Sequence, residues 1–371
     1  MIKKLIFIIV ICMFFTGCTH RDDIVIRFSS WGSGSETVVL NSLIKEFEAQ
    51  NPEIKIEFIH IPQNYFQKLH LLFASNLAPD VVFINNLNLP VYSDYLEDLS
   101  EIIDIKDFYP KSVEGMKYNG KLLAVPRDIS TLVIYYNKTL FKKYGISYPE
   151  ENWTLDELLK KALFFKSKNI FGISYEPLIY YAQPYMNYYG GGILDEEYKF
   201  IANNEQSLKG INFYKDLAYK YHVAPMPRQT GSRTLAQIFL EGRMAMHLSG
   251  RWLVPKYRSC ADFDWDIVNF PSYTIPCDIS GWSVTKSSSH KDAAIKFVRF
   301  LSNKNNIAKM AKGGLIVPAR IDVSQSPEFL NGKPEHSYLF LKSIKYSKTA
   351  CISKDYSKII DKLNDKNFNF R

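Results

Sequence analysis

The sequence predicts an α/β protein with enough chain for two lobes. Its 371 residues are many for one compact domain and natural for two. A 46% hydrophobic and 15% aromatic content supplies material for substantial cores. From Ile24 to Ile84 the pattern runs strand, helix, strand, helix, strand, which is the rhythm of an open α/β sheet.

The elements follow in order. Ile24–Ser30 alternates apolar and polar residues and reads as a strand, closed by the Trp31-Gly32-Ser33-Gly34-Ser35 turn. Val39, Leu40, Leu43, Ile44 and Phe47 then fall at helical spacing, and Asn51-Pro52-Glu53 ends that helix. Residues 54–61 form a second strand, Tyr65–Ala74 a second helix and residues 80–84 a short buried strand. Trp31, Asn85 and Asn86 lie at strand carboxyl ends, where open α/β sheets bind ligands. Residues 125–134 read as one strand whose Pro126 suits an edge crossing. Thr154 with Glu157 signals a helix start through a capping box. An aromatic stretch, residues 175–189, ends in a triple glycine that permits close backbone approach. Helices over residues 206–221 and 234–240 lead to strands at 242–247 and 265–270. Residues 281–285 precede a long amphipathic helix over 287–303, and after Pro318 a lysine-rich helical tail follows. There is neither an internal repeat nor a flexible linker.

The amino terminus indicates location. Lys3 and Lys4 precede an apolar run over residues 5–15, and Thr16-Gly17-Cys18 closes it with small residues. The run is short of the roughly 20 residues a membrane span needs, so residues 1–18 read as a secretory signal. Phe15-Thr16-Gly17-Cys18 resembles the bacterial lipobox, with Phe15 in place of the usual Leu. That resemblance implies lipidation at Cys18 and a mature chain held outside the cytoplasm on a membrane. Of the cysteines beyond it, Cys260 and Cys277 could pair in an oxidising compartment, but free thiols are the favoured reading. The His residues are dispersed and no metal-ligand spacing occurs. The formal charge of +8 is scattered along the chain, which argues against nucleic-acid binding. Neither a P-loop nor a Gly-x-Ser-x-Gly elbow is present, so no enzyme and no cofactor are expected.

Several segments, taken in order, resemble the extracellular solute-binding proteins of bacterial sugar ABC importers, the maltose-binding-protein-like group. They are Phe47 with Asn51-Pro52-Glu53-Ile54, then Ala78-Pro79-Asp80-Val81, then Tyr118 through Pro126, then residues 132–138. Trp153-Thr154-x-Asp156-Glu157 and Phe239-x-Glu241-Gly242-Arg243-Met244-Ala245-Met246 complete the set. Each is weak alone; together, in this order, they are specific. The resemblance spans about residues 24–320. It implies a two-lobed periplasmic-binding-protein fold with hinge crossings and a ligand cleft between lobes. Lobe one would comprise residues 19–126 and 278–318, lobe two residues 127–277, and residues 319–371 would pack near the hinge and lobe two. A monomer that hands a carbohydrate to ABC permease subunits is the implied assembly.

Sugars present C–H faces and a ring of hydroxyls, so their sites need aromatic platforms and planar polar groups. Trp252, in Ser249-Gly250-Arg251-Trp252, stands where the family often places a stacking Trp. Trp31, Asn85, Asn86, Asp128 and Ser130 occupy strand ends and the first crossing. Gly281 and Trp282 fall on the return crossing. Of Tyr185, Tyr188 and Tyr189, one is expected to face ligand and the others to pack. Asp80 reads as a turn residue. Arg251 and Arg320 could hold a hydroxyl or a phosphate, or be surface charges. Alternative readings are a binding protein for glycerol phosphate or another anion, a surface glycan hydrolase, and a signalling sensor.

Overall fold

The computed structural model describes residues 24–32, 34–272, 275–349 and 354–365. The leader with Cys18, and Cys351, lie outside them. Strands β1 (Ile24–Ser30), β2 (Ile54–His60) and β3 (Val81–Asn85) begin the chain. A small hairpin of β4 (Lys117–Tyr118) and β5 (Lys121–Leu122) follows, then β6 (Val125–Thr131) and β7 (Val133–Asn137). The later strands are β8 (Met246–Ser249), β9 (Trp265–Asn269), β10 (Pro276–Val284) and β11 (Lys348–Thr349).

Two sheets carry the molecule. In the first, β1 pairs in parallel with β2 and β3, and β3 pairs antiparallel with β10. β10 is held on its other edge by β6, also antiparallel, and β11 joins its start. In the second sheet β7 lies between β8 and β9, antiparallel to both. Only Leu132 separates β6 from β7, so the chain changes sheets within one residue. It returns through Phe270 to Ile275 into β10. The adjacent β6 and β10 are therefore the two crossings between lobes.

Local chemistry explains the elements. All five residues of β3 are buried, as a strand covered on both faces requires. The helix Gly34–Gln50 buries Leu40, Leu43, Ile44 and Phe47. Thr154 and Glu157 form both halves of the expected capping box on Leu155–Lys166. Asp80 is a structural residue: it accepts from the Arg27 N–H at 2.8 Å and from Ser288 Oγ at 2.6 Å. Along β7, Val133 and Tyr135 join a core shared with the first sheet and the tail helices, while Ile134 and Tyr136, with Leu132 just before the strand, join the second lobe's core. That split is the period-two alternation of a strand covered on both faces.

Three elements differ from expectation. The single strand over residues 125–134 is two strands in two sheets, because the crossing itself falls at Leu132. The strand expected from Gly242 starts at Met246; Gly242 sits at φ 66° in a turn, and Met244 makes an isolated bridge to Phe171. The long helix after Ser287 begins only at Lys291, since Ser288 is held by Asp80 in the preceding turn. Cys260 is exposed and Cys277 buried in β10, both as free thiols.

Candidate functional site

A cleft of about 540 Å³ opens beside the crossings. Trp31, Gly32, Ser35 and Glu36 line it from the first lobe, at the end of β1 and the start of the following helix. Arg127, Asp128 and Ser130 on β6 and Asp278 and Ser280 on β10 form its floor. Trp252, Lys256 and Ser259 face it from the second lobe. An adjoining hollow of about 350 Å³ on the second lobe is lined by Glu176, Tyr181, Arg233, His247 and Ser249, and Trp252 borders both. The site thus spans both lobes and the hinge strands.

Its aromatic walls are firmly held. Trp31 packs against Phe83 and Tyr65, with ring centroids 4.2 and 4.9 Å away. The Arg127 guanidinium lies 4.0 Å over the Phe83 ring, continuing the same wall. Trp252 stays 38% exposed, a large apolar face turned to open space.

The floor is a charge cluster. Arg127 donates to Asp128 at 2.6 Å through Nε and pairs with Glu36 through Nη1. This buried guanidinium ties β6 to the first helix. Asp278 lies opposite Ser130 on the partner strand, and its Oδ1 is buried with no hydrogen-bond partner among the described residues. Burial, reinforced by the nearby Asp128 charge, pushes the Asp278 carboxyl up to about 7. Burial likewise raises the Glu176 carboxyl and drops the His247 imidazole to about 3, so that ring is neutral at physiological pH.

The structure brings Trp31, Asp128, Ser130 and Trp252 together and places the other sequence candidates elsewhere. Asn85 accepts bonds from the backbone and side chain of Asn88, closing the turn after β3. Asn86 accepts from the Ile279 N–H, so it fastens that turn to β10. Gly281 sits where β10 meets β6; an added Cβ would lie 2.2 Å from the Val125 carbonyl oxygen. Trp282 is fully buried beside Phe83 in the first core. Tyr185 is fully buried among Phe213, Tyr214 and Phe270, and Tyr188 packs partly buried on the same core. Arg251 is buried under the tail, its guanidinium against the Phe329 and Phe340 rings. Arg320 is paired with Asp107 and Asp322 beside a separate hollow of the first lobe.

Sequence reading passed over Glu36, Arg127, Lys256 and Asp278, and Glu176 and Arg233 in the adjoining hollow. For two of them a signal existed: Arg127 directly precedes Asp128, and Glu36 opens the helix after the glycine-serine turn. The others come into range only through folding. Among the described residues no cluster of His, Cys, Asp or Glu is arranged to hold a metal ion. Nor is any helix among them long and apolar enough to cross a membrane.

Two α/β lobes joined by paired crossings, with an aromatic and charged cleft between them, define a protein that binds a small solute by enclosing it. The chain belongs to the bacterial extracellular solute-binding protein family, whose pattern matches residues 42–334. It is an extracytoplasmic binding protein and not an enzyme. It is 25% identical to a galactooligosaccharide-binding protein of Bacillus subtilis over 335 residues, 82% of this chain and 77% of that one. It is 24% identical to a maltotriose-binding protein of Pyrococcus abyssi, covering 84% of this chain and 72% of the other. An ABC substrate-binding protein of Listeria monocytogenes, solved with cycloalternan, superposes with a TM-score of 0.86 at 26% identity, covering 94% of each chain.

Proposed function

We propose that the protein captures a carbohydrate between its lobes and delivers it to the permease of an ABC importer, anchored to the membrane by lipid on Cys18. The observation that carries this reading is Trp252: a broad, 38% exposed ring bordering both hollows, across from a floor of Arg, Asp and Ser groups. A sugar's C–H face stacks on such a ring, and its hydroxyls suit the planar donors and acceptors of the floor. A ligand touching both lobes favours the closed form through contacts that the open form lacks. The names of the relatives, which bind oligosaccharides, support the same class of ligand.

The anionic alternative rested on Arg251 and Arg320, and neither lines the cleft. A glycan hydrolase needs two carboxylates free to act across the bond it cleaves; the Asp80 carboxylate is held by the Arg27 N–H and Ser288 Oγ, and that of Asp128 by Arg127.

The test is a thermal-shift screen of the chain from Thr19 onward against sugars, polyols, sugar phosphates and peptides. A ligand that binds only the folded protein raises its melting temperature by mass action. A sugar is expected to give the shift, and Trp252→Ala is expected to weaken its binding about tenfold or more. Response to phosphates alone would favour the anionic alternative, and an unchanged affinity in Trp252→Ala would remove the stacking role.

A further inference from the structure

The segment that carries Trp252 is clamped from the side facing away from the cleft. Gly250 leaves room for the Trp252 ring to fold back over it: an added Cβ there would lie 2.0 Å from the ring carbon Cζ3. The Tyr135 hydroxyl donates to the Gly250 carbonyl at 2.8 Å. Between these two residues, the Arg251 side chain runs inward, 1% exposed, and its guanidinium lies 4.0 Å from the Phe329 ring centroid and 5.1 Å from that of Phe340.

Phe329 and Phe340 belong to the C-terminal segment, on the helices Pro327–Leu330 and Tyr338–Tyr346. Among the described residues the guanidinium has no ion pair and its Nε and Nη1 have no hydrogen-bond partner, while Nη2 makes one long contact, 3.5 Å, to the Phe329 carbonyl. Two aromatic faces are therefore its principal stabilising contacts. Such an arrangement is costly as mere filling, because a buried cation without a counter-ion loses its hydration. It does fix a backbone position firmly, since a flat guanidinium packed against two rings tolerates little tilt. The next residue in the chain is the platform.

We infer that Phe329, Phe340 and Arg251 are positioning residues that set the orientation of the Trp252 ring, so that the C-terminal segment governs the affinity of the cleft. The affinity half rests on the carbohydrate reading above; the orientation half does not.

The experiment uses the mature chain labelled with fluorotryptophan. Its five tryptophans give separate fluorine resonances, with Trp252 assigned from Trp252→Phe. Phe340→Leu and Phe329→Leu keep the core apolar while removing a flat face from the guanidinium. Gly250→Ala displaces the ring directly and calibrates the response. Each leucine variant is expected to move the Trp252 resonance in the direction of Gly250→Ala and to leave Trp31 unmoved. With maltotriose as probe, affinity is expected to fall about tenfold, whereas a purely structural role would lower the melting temperature alone.

A Trp252 resonance unchanged in both folded leucine variants overturns the inference. If either variant does not fold, the other and Arg251→Met supply the same reading. If the wild type binds no sugar, the carbohydrate reading fails while the resonance still decides the positioning role. A moved resonance with unchanged maltotriose affinity would overturn the affinity half.

Discussion

Asp278 and Asp128 sit on neighbouring strands of one cleft floor, yet their chemistry differs. Asp128 is committed to Arg127, whereas Asp278 keeps a buried oxygen with no partner among the described residues and a carboxyl raised to about 7. The sign of the consequence follows from linkage. A carboxyl raised above its unfolded value binds its proton more tightly in the folded state, so its support is complete in acid and drains away as pH rises through about 7. Asp278→Asn does not titrate. Its melting temperature relative to the wild type is expected to rise by a few degrees between about pH 5 and about pH 8. Paired thermal scans across that range measure it, and a difference that does not vary with pH would refute the assignment. The contrast with Trp282 and Tyr185 is equally instructive. Both are aromatic residues of the kind that sugars stack on, and both are core, because the strand and helix that carry them turn those positions inward.

At the scale of elements, β6 and β10 do most to define the site. They are adjacent, antiparallel, and irregular between Ser280 and Gly281, where the register shifts. Gly281 is required there by close approach: a methyl would meet the Val125 carbonyl at 2.2 Å, and backbone cannot move aside cheaply. Gly281→Ala is therefore expected to cost about 1–3 kcal/mol, read from urea unfolding; a loss within experimental error would show that the crossings flex more than their pairing suggests. The proline in β6 fits the same picture. Pro126 lies near the start of β6, ahead of the point where Asp128 bridges Pro318 on the edge opposite β10, and a missing N–H is best tolerated near a strand's start. The sequence located this crossing but read straight through Leu132, because six apolar or small residues in a row carry no mark of a change of sheet.

At the scale of the molecule, the C-terminal segment is more than an appendage. Lys111 Nζ donates to the Ile344 and Ser347 carbonyls, at 2.7 and 2.6 Å, fastening it to the first lobe. The His336 ring bonds to the buried Asp266 of β9 at 2.6 Å, and the Asn364 side chain accepts from the Ile179 N–H in the second lobe at 2.8 Å. One segment thus touches both lobes and the crossings. The other end of the chain bears on location. If Cys18 carries the lipid, Cys18→Ala should move the protein from the membrane fraction to the soluble fraction, scored by immunoblot. Continued membrane association would count against the anchor.

The sequence by itself determined the elements and their class: strand and helix periods, the capping box at Thr154, the turn role of Asp80 and the family likeness all rest on residues near one another in the chain. It also marked Trp31, Asp128, Ser130 and Trp252, each at the end of an element or on a crossing. Only the tertiary structure decided which charges share the cleft. Glu36 reaches Arg127 across 91 positions, and Asp278 meets Asp128 only because β10 returns beside β6. It also sent Arg251 inward and left Trp252 outward, although they are consecutive. The reason is physical: which way a side chain points at a turn depends on what packs behind it, and here that is Phe329 and Phe340, contributed by the far end of the chain.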